Sequence, residues 1–109
     1  MAFYNYPDNS GNLPLHYACA YGWTACVETL LRVNANINAI NEWGFSPLMI
    51  AMLKCHKNIV KLLLDIEGVN VNGTDDSGRN LLCFALMQIN ADSENYLKFL
   101  IEDKGANVN

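Results

Sequence analysis

Pairs of short apolar runs recur along the chain, and polar loops separate one pair from the next. In the first pair the apolar residues recur at helical spacing, at Leu15, Ala18, Cys19, Val27, Leu30 and Leu31. This spacing places them on one face of a helix, so each run predicts a short amphipathic helix. Pro14 precedes the first run and Gly22 follows it, and these residue types are typical of a helix start and a helix end.

The same pattern returns at a nearly fixed interval. Segment 41–51 repeats segment 8–18 at an offset of 33 residues, and segment 75–85 follows the second copy at an offset of 34. Each copy closes with an Asn-x-Asn triplet, the last of them at 107–109. A repeat of this length indicates stacked units, because one helix pair cannot bury its apolar face alone.

The core of the repeat resembles that of the ankyrin family. Residues 13–18 read Leu-Pro-Leu-His-Tyr-Ala, which is close to the core sequence of that family, and residues 46–51 keep its Pro, Leu and Ala. The third copy keeps only Leu82 and Ala85. The resemblance covers roughly residues 8–109. It implies an all-α repeat fold, an ankyrin-repeat solenoid of stacked helix-turn-helix units joined by β-hairpin loops.

The repeat boundaries divide the chain into an N-terminal extension and three ankyrin repeats, at residues 1–7, 8–40, 41–74 and 75–109. The extension contains Phe3, Tyr4 and Tyr6. Two interpretations of it stay open: a cap over the exposed edge of repeat one, or a tag or linker. Because the next hairpin would begin after Asn109, we expect the chain to be a fragment of a longer protein.

Several residues depart from the family pattern at the helix ends. A hydroxyl residue is expected before each first helix, and only Ser46 supplies one, because Leu13 and Leu81 occupy the equivalent positions. We therefore expect looser turns in repeats one and three. Cys55 stands where a glycine would end a helix in the left-handed conformation, which predicts either backbone strain or a reshaped turn at 54–57. Asn34 tolerates that conformation in the preceding repeat.

Composition and charge exclude several classes of protein. Apolar residues make up 51% of the chain, and seven Lys and Arg face eleven Asp and Glu, for a net charge of −4. An acidic chain without a basic cluster is a poor ligand for nucleic acids or for anionic membranes. The longest apolar run, at 48–53, is too short to span a bilayer. Four cysteines without a CxxC pair or an export signal indicate reduced thiols, so we expect an intracellular protein, cytoplasmic or nuclear.

One pair of residues has spacing compatible with a metal site. His16 and Cys19 lie three residues apart on one predicted helix, and the other candidate ligands are Cys26, Cys55 and His56. Zinc needs four ligands, or three and a water, and no CxxC frames this set. We favour the structural interpretation: the resemblance implies that His16 is the turn histidine of the family, and Cys19 is a small core residue. We expect no metal.

Catalytic chemistry has little support in the sequence. Cys55 and His56 are neighbours, so their side chains point in different directions and do not form a nucleophile and base pair. No glycine-rich nucleotide motif is present, and Asp75, Asp76 and Asp103 are expected to be solvated turn acids. We therefore expect no enzyme activity and no cofactor.

The resemblance implies where a partner would bind. Ankyrin domains bind proteins on a concave surface that is made of hairpin tips and the exposed side of the first helices. Carried over by position, the candidate partner-binding residues are Asn12, Tyr21, Trp43, Phe45, Leu53, Lys54, Asp76, Arg79 and Met87. Large apolar residues dominate the set, which is typical of an interaction surface. Packing of Trp43 and Phe45 against neighbouring hairpins is the alternative. Trp23 is expected to pack on the turn before the second helix.

Three functional hypotheses follow. The leading one is a monomeric, non-catalytic module that binds a partner protein or peptide on its concave surface, with Lys54, Arg79 and Asp76 setting the register. The alternative is a substrate-recruitment or assembly segment of a larger multidomain enzyme or channel. A third is a spacer whose surface binds nothing.

Overall fold

Four helices form two antiparallel pairs. The computed structural model describes residues 6–81 together with Cys83 and Phe84. The helices are α1 (Pro14–Tyr21), α2 (Thr24–Arg32), α3 (Pro47–Leu53) and α4 (Lys57–Leu64), and Leu81, Cys83 and Phe84 are also helical. This described part contains no β-strand, so the predicted hairpins are turns. The second helix predicted for repeat three and the first five residues of the extension lie outside it.

The two pairs stack side by side in two rows. Helix α1 packs against α3 in one row, and α2 contacts α4 in the other. The core fills the space between the rows, and equivalent positions of the two repeats are buried in both: Leu15 and Leu48, Ala18 and Ala51, Val27 and Val60, Leu30 and Leu63. Burial of one such leucine or valine stabilises the fold by about 1.5–3 kcal/mol. The helical periodicity of the sequence thus corresponds to one continuous core across the repeats.

The first helices of repeats one and two begin at proline with different caps. The Ser46 hydroxyl accepts a hydrogen bond from the Met49 backbone N–H at 3.2 Å. Leu13 has no such acceptor, and its own N–H donates instead to His16 Nδ1 at 3.0 Å. A side-chain N-cap of the serine type contributes about 1 kcal/mol, and α1 lacks that contribution. His16 compensates by satisfying one backbone donor.

The third repeat has a helix cap that the sequence pattern did not predict. The Asn80 side-chain oxygen accepts a hydrogen bond from the Cys83 N–H at 3.0 Å. A hydroxyl was expected in place of Leu81, which is 1% exposed. Asn80 follows Ser46 by the repeat offset of 34 residues, so Asn80 itself holds the cap position and Leu81 corresponds to Pro47. The expectation of a looser turn here rested on assigning Leu81 to the cap position, and that assignment was wrong.

Left-handed residues close the helices where the sequence indicated. Gly22 has φ of 76°, and Asn34 and Cys55 have φ of 60° and 62°. A Cβ added to Gly22 would come within 2.8 Å of His56 Cε1, so glycine is needed there for space as well as for conformation. The left-handed conformation of Cys55 costs about 1–2 kcal/mol. Gly22, the equivalent residue of repeat one, does not have this cost because it has no Cβ. The expected strain at Cys55 is present.

Each repeat opens with a tight turn, here called its tip, at residues 8–12, 41–45 and 75–79. One side chain organises each tip. Asp8, Asn41 and Asp75 each accept backbone N–H groups, from the residues two and four positions later, on a single side-chain oxygen at 2.8–3.0 Å. Asp75 is only 5% exposed, so the expectation that it is a solvated turn acid was wrong. Its carboxylate is buried because the turn and a neighbouring arginine satisfy it.

Successive tips are joined through the main chain. The Glu42 N–H donates to the Ser10 carbonyl at 2.8 Å, and the Asp76 N–H donates to the Trp43 carbonyl at 2.9 Å. A Cβ at Gly44 would lie 2.8 Å from the Asp76 nitrogen. The close approach of the two tips therefore requires glycine at this position, where φ is 81°.

The first Asn-x-Asn triplet, at residues 36–38, also joins repeats one and two. Asn38 donates from Nδ2 to the Gly68 carbonyl at 2.9 Å, and its Oδ1 accepts the Asn70 N–H at 2.7 Å. One asparagine side chain thus holds two backbone groups of the next repeat. Asn38 therefore has a structural role between repeats one and two.

Candidate partner-binding groove

A groove of about 290 Å³ lies between repeats one and two. Helices α1 and α3 and the two hairpin tips form its walls. Six of the nine predicted residues line it: Asn12, Tyr21, Trp43, Phe45, Leu53 and Lys54. Five residues outside that set of nine also line it: His16, Tyr17, Ala20, Asn41 and Ile50. The repeat pattern therefore located the groove but not all of its walls.

The remaining three predicted residues do not line this groove. Asp76 is exposed at the third tip. Arg79 makes an ion pair with Asp75 at 2.9 Å, and its guanidinium carbon lies 5.1 Å from the Phe84 ring centroid. Met87 lies outside the described residues. The guanidinium of Arg79 thus contacts Asp75 and the face of the Phe84 ring. These two contacts stabilise the third tip.

Arg79 also sets the ionisation of its partner. Burial raises the pKa of Asp75, but the backbone and side-chain hydrogen bonds and the charge of Arg79, with the N–H of Ser77, outweigh that effect. The net result is a lowered pKa, so the carboxylate stays charged within the tip.

Aromatic rings form one wall of the groove and continue beyond it. Tyr17 and Tyr21 are one helical turn apart on α1, with centroids 6.4 Å apart, and Tyr21 stacks on Trp23 at 5.2 Å. Tyr21 and Trp23 are 62% and 54% exposed. Trp23, which was expected to pack on the turn, stacks on Tyr21 beside that turn and extends an exposed aromatic row. The i, i+4 spacing of Tyr17 and Tyr21 was the signal that could have identified Tyr17.

The second tip supplies the opposite wall, and its two aromatic residues differ in burial. Trp43 is 48% exposed. Phe45 is partly buried, packs against the core and meets the Phe84 ring edge to face at 6.2 Å. Leu53, at the end of α3, is 38% exposed. Phe45 therefore joins repeats two and three as well as lining the groove, whereas Trp43 and Leu53 present apolar surface to the groove.

Asn12 acts through another residue. Its side-chain oxygen accepts a hydrogen bond from Asn41 Nδ2 at 2.9 Å. The Asn41 oxygen in turn accepts the N–H groups of Trp43 and Phe45, each at 3.0 Å. The pair thus fixes the backbone that carries the two aromatic side chains, and Asn12 positions the groove wall.

His16 is the buried polar residue at the base of the groove. Its Nδ1 accepts from Leu13, so Nε2 carries the proton and lies 3.1 Å from the Ala39 carbonyl and 3.0 Å from the Phe45 carbonyl. Burial lowers the pKa of His16, although the two carbonyls and the charge of Asp8 oppose this. Because His16 is neutral and both of its ring nitrogens make hydrogen bonds to the backbone, its role is structural.

The cysteines offer little chemistry. Burial raises the pKa of Cys19 to about 12, which leaves it a thiol rather than a ligand or nucleophile. Cys55 and His56 lie in a second, polar depression at the turns between helices, where His56 Nε2 donates to the Ala20 carbonyl at 3.1 Å. In the described part of the chain, no three His, Cys, Asp or Glu side chains cluster closely enough for a metal ion. Nor does a helix there reach the length and hydropathy of a membrane span.

The sequence as a whole matches a known family along most of its length. The family model for ankyrin repeats, in three copies, matches residues 15–109. The chain belongs to the ankyrin repeat family. The all-α repeat fold implied by the sequence pattern is thereby confirmed, and ankyrin repeats are in general protein-interaction modules without catalytic activity.

Similar ankyrin-repeat segments occur within much larger proteins. The poly(ADP-ribose) polymerase tankyrase of Caenorhabditis elegans is 34% identical over 105 residues, which are 89% of this chain and 5% of that protein. Rabankyrin-5 of Homo sapiens is 32% identical over 89 residues, 81% of this chain and 8% of that protein. The human transient receptor potential cation channel subfamily A member 1 is 36% identical over 84 residues, 77% and 7% respectively. The chain thus spans less than a tenth of the length of these three relatives.

Within the ankyrin repeat groove, charge is confined to one position. Among the described lining residues, Lys54 is the only one with a formal charge, because His16 is neutral. Asp8 lies nearby at the first tip, where it accepts a hydrogen bond from the Tyr17 hydroxyl. That bond is the first cause of the lowered pKa of Asp8 and of the raised pKa of Tyr17. The groove is therefore an apolar cleft with a single cation at its rim.

Proposed function

We propose that this ankyrin repeat chain is a non-catalytic module that binds a partner protein or peptide in the groove between repeats one and two. The observation that carries the proposal is the exposure of Tyr21, Trp43 and Leu53 around one groove. All three are large side chains with apolar surface, and the stacking of the repeats does not require them to be exposed. Apolar and aromatic side chains that converge on a cleft with a polar rim are typical of interaction sites.

The third tip extends the proposed surface. Asp76 is exposed there, and Arg79, although paired with Asp75, keeps 38% of its side chain accessible. Met87 belongs to the proposal through the position that it holds in the repeat. A partner longer than one side chain would follow the row of tips from Trp43 to these residues.

The alternative is that the chain recruits substrates or directs assembly within a larger enzyme or channel. Its support is the small share, 5% to 8%, that the chain covers of a polymerase, a rabankyrin and a channel. Both proposals place a partner in the same groove. The acidic balance favours a protein rather than a nucleic acid as that partner.

The proposed setting is intracellular, in the cytoplasm or nucleus, and it is supported by the four cysteines, which are all free thiols. We also propose that the chain is a monomer.

Site-specific photo-crosslinking tests the proposed groove. A benzophenone amino acid replaces Trp43 in one variant and Ile40 in the control, because Ile40 is 64% exposed and outside the groove. In native cell extract, we expect the variant at position 43 to capture a protein that the control does not, and Leu53→Ala to reduce the capture. Equal capture at both positions, or none at either, would contradict the proposal and favour a spacer.

A further inference from the structure

We propose that the occupant of the groove is a peptide segment in which a large apolar side chain is flanked by a carboxylate, and that Lys54 selects the carboxylate. This rests on the proposed function, because it specifies what the same groove accepts. The groove measures about 290 Å³, at the lower end of the range of ~300–1,000 Å³ that binding pockets occupy, so it has room for one large side chain. Its size therefore suits an anchoring side chain.

The walls define the apolar part of the ligand. Tyr17 and Tyr21 stand on one side and Trp43 on the other, and each is at least 40% exposed. Rings that are exposed in the free protein lose water when an apolar side chain enters between them. Aromatic pairs are stabilised further by the interaction of their rings, so the walls favour aromatic or long aliphatic anchors.

The rim defines the charged part. Lys54 follows α3 as its C-cap residue, and its side chain is exposed beside Leu53. Its charge lies next to the apolar walls, where partial desolvation strengthens its attraction to an anion relative to bulk water. The carboxylates of the three tips, on Asp8, Glu42 and Asp76, are not among the groove-lining residues, and that of Asp8 accepts a hydrogen bond from the Tyr17 hydroxyl. An acid beside the anchor therefore meets a cation, whereas a base in the same place meets a like charge.

A second lysine allows a matched control. Lys61 lies on α4, in the other row of helices, and it is exposed and outside the groove. Replacement of Lys54 or of Lys61 by glutamine or glutamate changes the net charge of the chain equally. Any difference between the two positions thus reports local contact with the peptide rather than long-range attraction.

The test is a set of fluorescent synthetic peptides with a central Phe, Leu or Ser anchor and Asp, Asn or Lys on either side. Fluorescence polarisation gives Kd for the wild type and the variants, and circular dichroism verifies that each is folded. We expect Asp peptides with a Phe or Leu anchor to bind about threefold to tenfold more tightly than Asn peptides. Lys54→Gln removes this preference, Lys54→Glu reverses it towards Lys peptides, and Lys61→Gln or Lys61→Glu retains it.

The other outcomes separate this inference from the proposed function. Binding that depends on Trp43 but is indifferent to Asp, Asn or Lys would overturn the charge selection and leave the groove as the binding site. Binding unaffected by both Trp43→Ala and Lys54→Glu would overturn both proposals. If no peptide binds, a linear occupant is wrong, and the photo-crosslinking result alone decides whether the groove binds a folded partner.

Discussion

Replacement of Cys55 by glycine is expected to stabilise the chain. Cys55 has φ of 62°, and its side chain is exposed, so the substitution removes backbone strain without opening a cavity. Relief of the left-handed conformation returns about 1–2 kcal/mol. The extra freedom of glycine in the unfolded state offsets about 0.4–1 kcal/mol. The net gain is about 0–1.6 kcal/mol, and its central value of about 0.8 kcal/mol corresponds to a rise in Tm of about 3–6 °C for a domain of this size.

Thermal unfolding followed by circular dichroism measures the effect under reducing conditions. Cys55→Ala is the control, because it removes the thiol but keeps the Cβ and the strain, and we expect its Tm to match that of the wild type. Gly22 occupies the equivalent position of repeat one with φ of 76°, so the glycine variant reproduces a geometry already present in the chain. An equal rise in Tm for the alanine and glycine variants would refute the argument, because the thiol rather than the backbone would then be responsible.

Two further perturbations test the tips and the buried histidine. Gly44→Ala places a Cβ about 2.8 Å from the Asp76 nitrogen at a φ of 81°, so we expect a loss of about 2–3 kcal/mol in the free energy of unfolding, measured by urea denaturation; a loss no larger than that of a surface Ala substitution would contradict the close approach of the tips. The lowered pKa of His16 means that the unfolded chain binds its proton more readily than the folded chain. Stability is therefore complete above the ordinary value of 6.5 and falls as the pH decreases below it, and a pH series of urea midpoints should show this fall in the wild type but not in His16→Gln. The lowered pKa of Asp75 adds a further loss only below its ordinary value of 3.8.

The elements that the sequence predicted are those governed by local rules. Proline at the start of α1 and α3 and left-handed residues at 22, 34 and 55 mark helix boundaries through backbone sterics alone. The burial of equivalent apolar positions in two repeats follows from the period, because each unit contacts the next in the same way. These features required no knowledge of tertiary contacts.

The features that the sequence did not predict depend on side-chain contacts, some within one tip and some between repeats. Asp75 looks like a solvated turn acid in the sequence, but Arg79 and two backbone N–H groups bury it. Arg79 is consequently engaged within the third tip. The role of Asn12 depends on its bond to Asn41 from the next repeat.

For the candidate groove too, the sequence predicted the positions of residues but not their side-chain packing. The repeat register determines where a backbone position lies, so Tyr21, Trp43 and Lys54 could be placed on the groove from the sequence alone. Side-chain direction and burial are determined by neighbours. Phe45 is therefore half core and half surface, and Trp23 is exposed beside Tyr21.

The hydrogen bonds between successive tips have a consequence for the adaptability of the surface. They connect the main chain of residue 42 to that of residue 10, and residue 76 to residue 43, so the side chains at these positions have no part in the connection. Each tip uses the same arrangement, the side-chain oxygen of Asp8, Asn41 or Asp75 and one glycine. The neighbouring side chains can be exchanged while the spacing between repeats stays the same. We therefore expect substitutions at the tips to alter the proposed binding surface without altering the stacking of the repeats.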